Sequence, residues 1–229
     1  MKKYLIMALS AAFLFSSCKK EANIQTKPDE VLTTIPAIPT QEGQQAITGV
    51  TANNNGIIYT QFNQELSYNK FLTVDANGDG KNDFYFTSVL IYGDGLSHLY
   101  LTASPVSKNG GMLQLDDRQE LVTNGMWAKP LDAGSDIGPN VGANTIWSNF
   151  MIKGVALDVA ENEARVKSFN GLWVGKQDKY LALRIRINNN NHYGWVRISH
   201  SANEERMVLT GYAYNAVAGE IIKAGQTLK

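Results

Sequence analysis

The chain has 229 residues, 44% of them hydrophobic and 18% charged, enough for one well-cored domain plus an appendage. Lys and Arg together number 21, and so do Asp and Glu, so no overall field draws the protein to nucleic acid or to an anionic membrane surface. The single cysteine, Cys18, excludes an intrachain disulfide and a thiolate cluster for zinc or iron–sulfur chemistry.

The start, MKKYLIMALSAAFLFSSCKKE, has a positive stretch (Lys2, Lys3), an apolar run from Tyr4 to Phe15, and small residues Ser16 and Ser17 directly before Cys18. The apolar run is too short to span a bilayer, so residues 1–17 read as an export signal. LFSSC resembles a bacterial lipobox, which implies cleavage before Cys18 and lipidation of that residue; the alternative is an ordinary cleaved signal with a spare cysteine. Several acyl chains on one residue anchor a protein stably. Lys19, Lys20 and Glu21 after the cysteine resemble Bacteroidetes-type lipoproteins, which implies an outer-membrane or cell-surface location. Two of the 21 basic residues fall in 1–17, which holds no acids, so 19 would remain against 21 acidic ones.

Residues 18–45 are polar, punctuated by Pro28, Pro36 and Pro39, and carry neither a 2.0 nor a 3.6 period. They predict a flexible tether that would hold a domain about 30 Å from the lipid headgroups.

From residue 46 to 229 the pattern is strand, turn, strand. GIIYTQF (56–62), KFLTV (70–74), DFYFTSVLI (83–91) and LSHLYLTA (96–103) are rich in β-branched and aromatic residues, with YGDG (92–95) as the turn of a hairpin. Residues 104–146, dotted with glycine and proline, fit long loops over a sheet. No amphipathic helix longer than two turns stands out, and ALDVAENEARV (156–166) is the best candidate. In DKYLALRIRI (178–187), Leu181, Leu183, Ile185 and Ile187 alternate with Tyr180, Ala182, Arg184 and Arg186, as in an antiparallel strand with one face on a core. NNNN (188–191) tolerates a left-handed turn. HYGWVRIS (192–199) returns, with Val196 and Ile198 inward and Tyr193, Trp195 and Arg197 on the other face. ERMVLTGYAYN (205–215) and AGEIIKAG (218–225) complete the chain. Many short strands with turn-punctuated spacing predict an all-β, antiparallel β-sandwich.

DxNGDGxxDFxF, GLWVGKQDKYLALRI, HYGWVRIS, GYAYN and AGEIIKAG together resemble a family of secreted or anchored bacterial β-sandwich proteins. The likeness covers roughly residues 68–225, and the HYGWVR to YAYN succession is its most specific part. It implies a jelly-roll or concanavalin-like architecture and an exported location, and brings no activity with it.

VDANGDGKNDF (74–84) carries the clearest chemistry. Asp75, Asn77 and Asp79 fall at positions 1, 3 and 5 of a calcium loop, and Gly80 at position 6 allows the bend. Lys81 offers a backbone carbonyl at position 7, and Asp83 sits at position 9. Position 12 is Phe86 rather than the glutamate of an EF-hand, so the loop resembles the shorter DxNxDGxxD strand connections of extracellular β proteins. One bound calcium is expected; a bare Asx- and Gly-rich turn is the alternative.

Tyr193, Trp195 and Arg197, with Tyr180, Arg184 and Arg186 on the hairpin partner, would form an aromatic and cationic face able to stack on sugar rings and bond hydroxyls or carboxylates. If a loop covers that face, the same residues are a structural cation–π packing. Signals of catalysis are sparse: His98, His192 and His200 form no HExxH or HxH pair, there is no GxSxG, and Asp158, Glu161 and Glu163 read as a solvated surface. The leading expectation is a non-catalytic, membrane-anchored surface binding or adhesion module stabilised by one calcium ion, with glycan as the ligand class. A carbohydrate-active hydrolase and a structural envelope component are the alternatives. A cleft with two facing carboxylates would favour the first of these, and exposed aromatics would favour binding.

Overall fold

The computed structural model describes residues 44–93, 95–115, 126–149 and 154–228. The expected signal peptide 1–17, the expected lipidation site Cys18 and the expected tether as far as residue 43 lie outside the described residues.

In chain order the strands are β1 (Gln44–Ala46), β2 (Val50–Asn54), β3 (Ile57–Leu66), β4 (Phe71–Val74), β5 (Phe84–Gly93) and β6 (Leu96–Pro105). There follow β7 (Gly110–Leu115), β8 (Met126–Ala128), β9 (Pro130–Leu131), β10 (Asp136–Ile137), β11 (Thr145–Ser148) and β12 (Gly154–Asn162). The last are β13 (Lys167–Asn170), β14 (Lys179–Ile187), β15 (Asn190–Ser199), β16 (Met207–Asn215) and β17 (Ile222–Lys223). No helix occurs among the described residues.

The strands form a β-sandwich. One half runs β1-β4-β5-β6-β12 and the other β7-β14-β15-β16-β3-β2, and the three-residue β8 joins them at one edge. Pairing is antiparallel except β1 with β4 and β12 with β8. The halves face each other across one apolar core: Leu72, Phe84, Phe86, Leu101, Leu157 and Val159 from the first meet Phe62, Leu181, Leu183, Val196, Ile198 and Leu209 from the second. These are the inward members of the period-2 pattern, as the 178–187 and 192–199 alternations require.

The β14–β15 turn follows the residue chemistry. Asn188 and Asn189 take φ of 48° and 64°, and Ile187 pairs with Asn190 across a two-residue loop, a conformation that asparagine tolerates where a β-branched residue would not. Gly194, inside β15, answers a different need. A Cβ there would stand 2.4 Å from the Ala213 carbonyl oxygen and 2.8 Å from the Tyr214 Cβ, so β16 can approach only a glycine.

Three expectations change. Residues 156–166 begin in β12 rather than a helix. Leu157 and Val159 enter the main core while Asp158 and Ala160 are buried on the opposite face, so the strand is covered on both sides, and its aliphatic alternation is limited to Leu157 and Val159. Gln44 and Gln45, expected at the end of the tether, lie in β1 and pair with Phe71 and Leu72 of β4. Within 104–146 the described residues hold short strands as well as loops; Gly110–Leu115 is a strand of the second half, hydrogen-bonded to β14.

Candidate functional site

The outer face of β14 and β15 carries Tyr180, Tyr193 and Trp195, as alternation demands, but it is not open. Leu131, Ile137, Val141 and Trp147 from one segment, and Ile222 and Ala224 from the C-terminal stretch, cover it and build a second core. Trp195 is 2% exposed; its Nε1–H donates to the Gln226 carbonyl at 3.2 Å, and its ring meets Tyr180 edge-on at 5.1 Å. The sugar-stacking platform expected of Tyr180, Tyr193 and Trp195 is therefore corrected to a packed layer, because two short strands, β10 and β17, pair above it. Arg197 donates from Nε to Thr210 Oγ1 at 2.6 Å and lies 3.9 Å from Asp178. Arg184 stacks 5.5 Å above the Trp147 ring, and Arg186 donates from Nη1 to Asn191 Oδ1 at 2.9 Å.

The 75–83 loop winds around its own carboxylates. Asp75 Oδ1 accepts the Gly78 N–H at 2.8 Å and the Asp79 N–H at 3.2 Å, and Asp75 Oδ2 accepts the Gly80 N–H at 2.8 Å. Asn77 Oδ1 also accepts the Asp79 N–H, at 2.9 Å, and Asp79 Oδ1 accepts the Lys81 N–H at 2.9 Å. Gly78 and Gly80, at φ of 75° and 83°, make the tight path possible. The Asp83 N–H then bonds the Val74 carbonyl at 2.6 Å, and Val74 pairs with Phe84.

Asp83 turns inward and is 6% exposed; Oδ2 accepts the Ala76 N–H at 2.9 Å and Oδ1 an Asn109 Nδ2–H at 2.8 Å. Burial pushes its carboxyl above the usual aspartate range, and the charges of Asp75 and Asp79 push the same way against those two hydrogen bonds. Among the described residues no three His, Cys, Asp or Glu side chains converge as a ready-made metal cage. The oxygens nonetheless suit a hard cation. Asp75 and Asn77 share one N–H and so point to one place, Asp75 Oδ2 and Asp79 Oδ1 each accept one N–H and keep a lone pair, and a cation would relieve the crowded acids.

Asn109 is the residue the sequence did not flag. Buried in the loop before β7, it donates to both the Asp83 side chain and the Asp83 carbonyl, and its Oδ1 accepts the Arg186 N–H at 2.6 Å. It thus ties the loop on the first half of the sandwich to β14 on the second. Tyr212 adds a second tie, its hydroxyl donating to the Asp75 carbonyl at 3.3 Å. Burial raises the phenol pKa of Tyr212 and of Tyr214 next to it in the core.

A different end of the sandwich is open. There the inner face of β5, β6 and β12 runs on through Leu90, Tyr92, Ser97, Leu99, Val159 and Glu161, and residues Tyr68 and Glu205 stand opposite, around a cleft of about 380 Å³. Tyr68 is 53% exposed and Tyr92 76%. Glu161 and Glu205 share the Lys167 ammonium, which lies 3.5 Å from Glu161 and hydrogen-bonds Glu205. None of Tyr68, Leu90 and Tyr92 was singled out from sequence. The available signal was that Tyr68 and Tyr92 sit at the turn ends of strands, where alternation continues past the strands that would cover it.

The histidines are held by local partners. His98 Nδ1 lies 3.1 Å from Asp158 Oδ1, His192 Nδ1 2.9 Å from the Asn215 carbonyl, and His200 accepts the Gly175 N–H and donates to the Glu204 carbonyl. Asp158 is buried, whereas Glu163 is exposed on the turn after β12. No family model matches the chain, and neither does any curated protein or solved structure.

Proposed function

We propose that the protein is an exported, lipid-anchored surface module that binds glycan without catalysis and is stabilised by one calcium ion. The observation that carries the binding role is the cleft edged by Tyr68 and Tyr92, two exposed rings beside an apolar floor of Leu90 and Leu99 and a rim of charged hydrogen-bonding groups. Flat aromatic faces with a polar rim are what a pyranose ring needs, apolar C–H face on the ring and hydroxyls at the edge. Cys18, at the junction of the signal and the tether, supports the anchor; a tether of that composition would carry the cleft clear of the membrane. Asp75, Asn77, Asp79, the Lys81 carbonyl and Asp83 are the oxygens that would hold the calcium.

A second reading, a glycoside hydrolase, is favoured by Glu161 and Glu205 in the same cleft. A shared lysine between them is the arrangement of an ion-pair network rather than of an acid and a nucleophile flanking a scissile bond. A glycan array with the wild-type protein, Tyr92→Ala and Tyr68→Ala tests the proposal. Both rings are exposed, so the variants keep the fold, and affinity for the selected glycan should fall at least tenfold, about 1.4 kcal/mol. Equal binding by all three proteins would remove the cleft as the site, and release of reducing ends from the bound glycan would establish the hydrolase instead.

A further inference from the structure

Arg184 and Arg186 alternate on the outer face of β14, so their side chains are neighbours on one surface. Both are half-buried, and in each the Nε is buried with no hydrogen-bond partner. Arg197 and Arg206 stand against Asp178, Glu204 and Glu65, but among the described residues no carboxylate lies within 4 Å of Arg184 or Arg186. The Arg184 guanidinium makes no hydrogen bond to a described residue; it stacks on Trp147 and passes close to Gly110, where a Cβ would stand 3.0 Å from it. The Trp147 ring in turn leans on Tyr193 at 5.7 Å. Arg186 spends Nη1 on Asn191.

Two like charges taken half out of water, side by side, with more donors than the described residues supply acceptors for, are costly unless something else supplies the acceptors. Burial pulls the Arg184 guanidinium below its usual range and the Arg186 charge adds to that, against the Tyr193 hydroxyl. The glycine at 110 and the aromatic floor keep Arg184 in one place, so its fork is pre-organised rather than mobile.

We infer that Arg184 and Arg186 form a binding site for a tetrahedral oxyanion, a phosphate or sulfate group. Two planar forks and a double positive charge match three or four oxygens and a charge near −2 better than they match a single carboxylate. The group arrives either as the free ion or as an ester on a larger molecule, and the chemistry seen by the arginines is the same. The site stands on the outer face of β14, while the cleft of Tyr68 and Tyr92 is lined by other residues, so neither depends on the other.

The test is the melting temperature and tryptophan fluorescence of the purified protein titrated with sodium sulfate or inorganic phosphate, against sodium chloride at matched ionic strength. A saturable rise in melting temperature with the oxyanions but not with chloride is expected, with a fluorescence change from Trp147 under Arg184. In Arg184→Gln and Arg186→Gln the apparent affinity should fall at least tenfold, and Arg184→Lys, which keeps the charge and loses the fork, should fall with them. A phosphorylated or sulfated sugar compared with its neutral parent identifies the source: tighter binding than the inorganic ion marks an ester, equal binding the free ion. A wild-type response matched by chloride, or retained in R184Q/R186Q, would overturn the site. Should a variant fail to fold, the chloride comparison on the wild-type protein decides alone.

Discussion

Asn109 shows how much one side chain can carry. It is 4% exposed, satisfies the buried Asp83 carboxylate and carbonyl, and accepts the Arg186 backbone N–H across the sandwich. Asn109→Ala would strand a buried N–H and leave a buried carboxylate with one donor fewer, at a cost of about 2–4 kcal/mol. Urea titration should show the midpoint fall with an unchanged slope; a loss under 1 kcal/mol would mean that water takes the place of the amide. The acidic residues of the 75–83 loop are legible in the sequence because oxygen donors at alternate positions and glycine at the bend are local. Asn109 was not legible, since its partners are 26 and 77 positions away.

At the scale of elements, local pattern served well where aliphatic residues alternate with aromatic or charged ones over a whole strand, even though both faces are covered. The hairpin of β14 and β15, its Asn turn and its inward residues all follow from period 2 and left-handed tolerance. It failed at β12, where the aliphatic alternation is limited to Leu157 and Val159 before the strand runs into Glu161 and Asn162. Gly194 belongs to this scale because its need is set by the spacing of β15 and β16. Gly194→Ala would drive a methyl into the Ala213 carbonyl, destabilising by about 1–3 kcal/mol. Gly111→Ala on β7 is the control: its methyl meets nothing within 4 Å and enters a gap beside Phe84, Ala103 and Leu183, so thermal melting should be unchanged or slightly higher. Similar losses in both would show that strand glycine content matters, not the close approach.

For the whole molecule, the two ends of the sandwich carry different chemistry. One is closed by the 75–83 loop, tied across the core through Asn109 and Tyr212; the other opens into the cleft of Tyr68 and Tyr92. If calcium sits in the loop, it binds the native state alone and stabilises both halves together. At ten times its dissociation constant it should contribute about 1.4 kcal/mol, which for a domain of this size raises the melting temperature by roughly 3–6 °C. Asp79→Ala should melt at the same temperature with calcium as with EDTA, and a wild-type protein indifferent to millimolar calcium would leave the loop as an Asx turn.

Composition, the signal-like start, the strand periods and the oxygen spacing of residues 75–83 were all readable in sequence, because each depends on neighbours within about a dozen residues. The β-sandwich followed from them. What covers a face does not. Tyr180, Tyr193 and Trp195 read as an open platform, and only tertiary structure lays residues 131–147 and the C-terminal stretch over them. By the same physics it leaves Tyr68 and Tyr92 bare, and Arg184 and Arg186 without a carboxylate among the described residues. Exposure is a property of which distant segments meet, and alternation along one strand says which side a residue faces without saying whether that side is solvent.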